Sequence, residues 1–151
     1  MNVIFLDIEG VLETHHGTMA DFKRRINLLG SICSETNCKI VIESTLKKYI
    51  DIENSKSEFD SIQILLDLFK ENGIALIGKT PSSESRNKAE EIVMYLKNHP
   101  EIEHFCIIDD GDFFDLSKLR EHLVKTIGSG VTTEEGLLPK HKDEVIEKLK
   151  I

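Results

Sequence analysis

The sequence lacks the features that mark several large classes of protein. No apolar run approaches the roughly 20 residues that a membrane-spanning helix needs. The first residues carry no basic segment, and the apolar stretch Asn2 to Leu6 is too short for a secretory signal. Cytoplasm is the expected location, with no membrane contact. There are three cysteines. Cys33 and Cys38 have no second pair at zinc-like spacing, and Cys106 sits inside an apolar run. That odd number argues against a disulfide framework, and the spacing argues against structural zinc. Basic residues are outnumbered 19 to 27, for a formal charge of −8. General nucleic-acid binding is therefore not expected, because neutralising phosphates takes clustered Lys and Arg. The short runs Lys23-Arg24-Arg25 and Lys47-Lys48 read as solvated helix faces. There is no internal repeat and no low-complexity tract.

What is present describes an ordinary globular chain. With 151 residues, 40% hydrophobic and 30% charged, residues 1–151 are expected to form one domain large enough to bury a core. Apolar runs at 2–6, 38–42, 74–77 and 104–108, with a weaker one at 121–127, predict five strands. Between them, helical spacing predicts helices over about 19–33, 59–69 and 86–98, with a closing helix over 140–149. Leu46 to Ile50 reads as a short helix, 113–120 as a loop with a helical turn, and 128–136 as a loop. Ser85 is expected to cap the third helix, and the loop histidines His15 and His16 are expected at the surface. Strand and helix alternate almost throughout. That pattern predicts an α/β fold of three layers, a parallel sheet with helices on both faces.

In such sheets, ligands bind beyond the carboxyl ends of the strands, near the switch in strand order. The polar groups of this chain fall at those ends. Asp7 and Glu9 follow the first strand, with Gly10 allowing a tight turn. Glu43-Ser44-Thr45 follow the second, and Asp109-Asp110 follow the fourth. Acidic groups gathered at one edge repel each other unless a cation intervenes. Mg²⁺, a hard ion held by one or two carboxylates, water and a phosphate, is the economical choice. Phosphoryl transfer then needs a nucleophile, donors to the phosphoryl oxygens and an acid or base for the leaving group. Asp7 suits the first role and Ser44, beside Thr45, the second. Either Lys88 or Arg86, at the start of the third helix, can neutralise charge, and Asp109 and Asp110 can hold the metal.

The order of these residues resembles the four motifs of the haloacid dehalogenase-like phosphohydrolases. The elements are Asp7-Ile8-Glu9-Gly10-Val11-Leu12, Ser44 after a hydrophobic strand, Lys88, and Ile107-Ile108-Asp109-Asp110. The resemblance spans nearly the whole chain. The run Arg86 to Ile92, His99-Pro100 and Gly136-Leu137 are similar to a small bacterial branch of that superfamily associated with RNA repair. The resemblance implies a Rossmann-like fold, Mg²⁺ as cofactor and an aspartyl phosphate formed on Asp7. It implies that Glu9 acts as general acid and base and lends its main-chain carbonyl to the metal. Ser44 would bind the phosphoryl group, Lys88 would stabilise the aspartyl phosphate, and Asp109 or Asp110 would complete the metal site.

The chain departs from the pattern twice. Position 9 is Glu where the superfamily usually has Asp, although enolase-phosphatases resemble this chain in carrying Asp-Ile-Glu-Gly. The branch usually continues its second motif into Ser-Trp-Arg, and here Thr45-Leu46-Lys47 follow Ser44. Neither connection that could carry a substrate-covering cap is long enough for one. An open site suits a phosphorylated small molecule or the phosphorylated end of a macromolecule. A two-component receiver domain would need an Asp after the third strand, where Ile77-Gly78 stand. The remaining alternative is a non-catalytic relative that binds phosphate or a protein partner.

Overall fold

The computed structural model describes residues 1–112, 117–130 and 134–151. The first half of the expected loop and helical turn over 113–120 and the middle of the expected loop over 128–136 lie outside them. The chain runs β1 (Asn2–Leu6), α1 (Met19–Thr36), β2 (Cys38–Ile42), a 3₁₀ helix (Thr45–Tyr49), α2 (Asp60–Glu71), β3 (Leu76–Lys79), α3 (Lys88–Asn98), β4 (His104–Asp109), α4 (Ser117–Arg120), β5 (Leu123–Lys125) and α5 (His141–Lys148). All five strands are parallel, in the order β3-β2-β1-β4-β5.

Side chains alternate across a strand, and the two faces of this sheet divide accordingly. Ile4 and Leu6 of β1, with Ile40, Ile42, Cys106 and Ile108, pack under α1, α2 and α5 through Ile26, Leu29, Leu65, Phe69 and Val145. Val3, Phe5, Val41 and Ile107 point the other way, against Ala89, Ile92 and Tyr95 of α3. Phe5 meets Tyr95 and Phe105 edge-on, with centroids 5.7 and 5.8 Å apart. Each fully buried Ile or Leu contributes about 1.5–3 kcal/mol relative to exposure, so both faces are held firmly. The result is the three-layer α/β/α fold that the alternation predicts. No helix among the described residues is long and apolar enough to cross a membrane. Only residues 7–18 separate β1 from α1, and only 80–87 separate β3 from α3, so no cap domain covers the strand ends.

Several local expectations need correction. α3 begins at Lys88, and Asn87 caps it, accepting from the Glu90 N–H at 3.1 Å, whereas Ser85 donates to the Glu90 carboxylate at 2.7 Å. β3 starts two residues later than its apolar run, at Leu76, and β5 is confined to three residues. Phe59 precedes α2 and is exposed. Arg25 is the largest departure, because it is buried rather than on a solvated face. Its position three residues after Phe22 and four before Leu29 places it on the apolar side of α1. There it donates to the carbonyls of Leu12 (3.1 Å) and Glu135 (3.3 Å).

Candidate active site

Strand register builds the core of the site. Leu6 pairs with Ile42 on one side and Ile108 on the other. One residue further along, Asp7, Glu43 and Asp109 therefore stand side by side in a single row. The ladder continues through them, with the Asp7 N–H donating to the Ile108 carbonyl (3.0 Å) and the Glu43 N–H to that of Leu6 (2.9 Å). Period-two alternation gives them the face of Phe5, Val41 and Ile107, where α3 lies. The row also sits at the switch point, since β1 is flanked by β2 and β4.

Three buried carboxylates in adjacent positions are unfavourable alone. Lys88, the first residue of α3, reaches into them. Its Nζ lies 3.1 Å from Asp109 Oδ2, 3.2 Å from Asp7 Oδ2 and 3.6 Å from Glu43 Oε2. Burial opposes the Lys88 charge, but Glu43, Asp7 and Asp109 outweigh it and raise its pKa. Burial raises Asp7 to about 7, with Asp109 adding to the rise and Lys88 resisting it. Burial also raises Glu43 well above the usual carboxylate range, with help from the proton it shares with Asp109. Asp109 moves down despite its own burial, because Glu43, Lys88 and the Gly111 N–H all favour its charged form. Neither Glu43 oxygen receives a donor. Burial favours the neutral form of this carboxyl, which would then have a proton to offer to Asp109.

Around this row lies an open cavity of about 580 Å³, walled by Asp7, Glu9, Glu13, His15, Thr45, Lys88, Asp110 and Gly128 among others. Glu9 is exposed, and one of its oxygens accepts from Thr45 Oγ1 at 3.1 Å. Asp110 reaches the cavity between two glycines. A Cβ on Gly10 or on Gly128 would overlap its carboxylate, and the φ of Gly10 is +84°. Burial and the neighbouring Asp109 raise its pKa. Ser44 is fully buried, and its Oγ caps the 3₁₀ helix by accepting from the Leu46 N–H at 3.1 Å. Arg86 is exposed in a left-handed turn (φ +54°), and among the described residues no ion pair joins it to these carboxylates. Geometry thus favours Lys88 over Arg86 at the carboxylates.

Two supporting residues were not foreseen. Glu43 is the strand-end carboxylate that the motifs pass over, although its place one residue beyond β2 matches that of Asp7 beyond β1. Lys47 is buried rather than solvated, donating to Glu91 (2.8 Å), Thr80 Oγ1 (3.0 Å) and the Pro81 carbonyl (2.9 Å). Glu91 also accepts from the Ser83 N–H at 2.7 Å. This network fastens the start of α3, and hence Lys88, to the 3₁₀ helix. Distant charge partners leave no local signature, so neither half of the pair announces the other.

The donor set suits a hard divalent cation. Asp7, Glu43 and Asp109 each offer an oxygen within 4.8 Å of the others. The carboxyl groups of Asp7, Asp109 and Asp110 share the single Lys88 ammonium, and a bound cation would relieve the repulsion that helps to raise Asp7 and Asp110. The carboxylates that gather at the strand ends are oxygen donors, which fit Mg²⁺ better than zinc or copper, although the His15 imidazole lines the same cavity. A search of curated proteins gave no match to the chain. A family model does match, that of the HAD domain in Swiss Army Knife RNA repair proteins, over residues 3–135. With the three-layer parallel fold already evident, the chain belongs to the haloacid dehalogenase-like family, in the branch whose domain occurs in Swiss Army Knife RNA repair proteins.

Proposed function

We propose that this protein is a Mg²⁺-dependent phosphomonoesterase that works through an aspartyl phosphate on Asp7. The observation that carries the reading is the Lys88 ammonium 3.2 Å from Asp7 and 3.1 Å from Asp109, at the sheet's switch point and on the wall of an open cavity. A carboxylate oxygen of Asp7 attacks phosphorus, and the ester oxygen departs with a proton from Glu9. A water then attacks the phosphorus of the acyl phosphate while Glu9 takes its proton, and inorganic phosphate and free Asp7 result. Lys88 balances negative charge on Asp7 and on the phosphoryl oxygens. Thr45, on the cavity wall, supplies a hydroxyl donor and orients Glu9, while Ser44, buried with its Oγ capping the 3₁₀ helix, would have to turn its hydroxyl towards the cavity to join it. Mg²⁺, held by Asp7, Asp109 and Asp110 with the main-chain carbonyl of Glu9, would screen the phosphoryl dianion from these carboxylates. Glu43 acts on Asp109 and Lys88 as a positioning residue.

The test is hydrolysis of a generic aryl phosphate. Turnover that requires Mg²⁺, stops with a chelator and falls to background in Asp7→Asn is the expected result. No turnover with Mg²⁺ between pH 5 and 8, combined with retained phosphate binding, would replace the enzyme with a phosphate-binding module.

A further inference from the structure

A second cavity, of about 390 Å³, lies beside the first. Glu9 and Glu13 line both. Apart from Ser61 its remaining walls are apolar or aromatic, and they gather three of the chain's nine aromatic side chains, Phe22, Tyr49 and Phe59. Tyr49 and Phe59 are 40% and 48% exposed and meet edge to face, centroids 4.7 Å apart, so their ring surfaces are presented to solvent and not to the core. Leu46 and Ile8 form the floor on the side of the candidate active site. The sequence explains the placement. Ile8 and Glu9 directly follow Asp7, while Thr45, Leu46 and Tyr49 share the 3₁₀ helix that Ser44 caps. Thr45, beside the proposed phosphoryl site, and the ring of Tyr49 thus sit on one short helix, while Phe22 comes from α1 and Phe59 from the residue before α2.

We propose that this cavity is the leaving-group subsite, and that the substrate is a phosphomonoester bearing a planar ring on a neutral, hydroxyl-rich linker, as in a nucleoside monophosphate. This rests on the phosphomonoesterase reading above. A volume in the ordinary range for small-molecule sites, lined mainly by apolar and aromatic groups with a few polar ones, suits a ring and not a short polyol. Stacking on exposed aromatic side chains is favourable for any base, because each offers a π-face. The two residues common to both cavities are the carboxylates Glu9 and Glu13. Carboxylates accept hydrogen bonds from sugar hydroxyls and repel a second phosphate there, which selects a monophosphate over a bisphosphate linker. Thr45 holds one oxygen of Glu9 and the proposed proton transfer uses the other, so Glu13 is the acceptor for such a hydroxyl.

The experiment compares adenosine monophosphate, a three-nucleotide oligomer with the same terminal phosphate, and glycerol phosphate as substrates of the full chain. Tyr49→Ala and Phe59→Ala are expected to raise KM for the two ring-bearing substrates roughly tenfold more than for glycerol phosphate, with Tyr49→Phe restoring it. The ratio between the first two substrates tells a free nucleotide from a polymer end. Equal effects on all three substrates, or none, would overturn the subsite while leaving the phosphatase intact. If no monoester is turned over, calorimetric titration of Asp7→Asn with adenosine monophosphate decides separately. Binding weakened roughly tenfold by Tyr49→Ala keeps the subsite, and absence of binding removes it. Dimerisation abolished by Phe59→Ala would also overturn it, because the rings would then be an interface between copies.

Discussion

Replacing the proposed nucleophile should make the cation-free protein more stable. Asp7 is buried in a row with Glu43 and Asp109, and one ammonium serves all three. Its pKa is about 7 in the folded protein against 3.8 for an unperturbed aspartate. The folded state therefore holds this proton more tightly than the unfolded chain does. Stability is intact below pH 3.8, falls as pH rises, and has lost its full share above about pH 7. Three pH units correspond to about 4 kcal/mol at 1.4 kcal/mol each. Because Glu43 and Asp109 share the strain, about half of that, roughly 2 kcal/mol, is a fair expectation for one substitution. In a chain of this length it amounts to an increase in Tm of about 4–8 °C. Thermal denaturation of Asp7→Asn and wild type, followed by circular dichroism in EDTA at pH 8, measures it. The gain should shrink with acidification and vanish near pH 4. Excess Mg²⁺ should reverse the order, since it binds the folded wild type and stabilises it by mass action. A loss of stability in Asp7→Asn at pH 8, or a gain that does not change with pH, would falsify the electrostatic account.

Other substitutions test the supporting structure. Glu43→Gln should behave like Asp7→Asn in EDTA denaturation, yet keep measurable hydrolysis, which a colorimetric phosphate assay reads directly. Glu91→Leu strands a buried Lys47 charge and should cost about 3–5 kcal/mol in urea denaturation, while Lys47→Met/Glu91→Leu should recover most of it. Glu135 is held down to about 2 by its hydrogen bonds from the His16 ring and from the Gly130 and His16 N–H groups. Its contribution is present above pH 4.5 and lost as pH falls towards 2, so the Tm gap between wild type and Glu135→Gln should close on acidification. Glu9→Asp, which restores the commoner side chain of the superfamily, should retain or raise kcat, and complete loss would mean that the site is built around the longer acid.

Layer order and the gathering of polar groups at the strand ends were legible in the sequence because both follow from short-range pattern. Apolar runs alternate with helical spacing, and polar residues cluster where the runs stop. The choice between Lys88 and Arg86 was also within reach. Asn87 followed by Glu90 three residues later is a helix-start signature, which puts Lys88 in the first turn and Arg86 before the cap. Glu43 needed one further step, the inference that strands in register end in register, so that a carboxylate just beyond β2 faces the same way as Asp7. Arg25 and Lys47 were misjudged for a common reason. Each was grouped with its neighbours in sequence, whereas the helical angle and a partner 44 or 110 residues away decide where a long cation goes. No local pattern encodes such pairings.

Those distant pairings matter to the site because they bind two loops into one wall. Thr126 Oγ1 donates to the Gly10 carbonyl at 2.7 Å, the His15 N–H to Gly128 at 3.2 Å, and the Leu137 N–H to Val11 at 2.8 Å. Arg25 bridges the carbonyls of Leu12 and Glu135 from beneath, and His16 closes on the Glu135 carboxylate at 2.8 Å. The segment that follows Glu9 and the segment that presents Gly128 to Asp110 are thereby held together through backbone and buried side chains. Hydrogen bonds of this density make closure of that wall over a substrate costly. On the proposed phosphatase reading a substrate would then be selected by the shape of an open site, and the cavity beside Glu9 and Glu13 that carries Tyr49 and Phe59 is where that shape would discriminate.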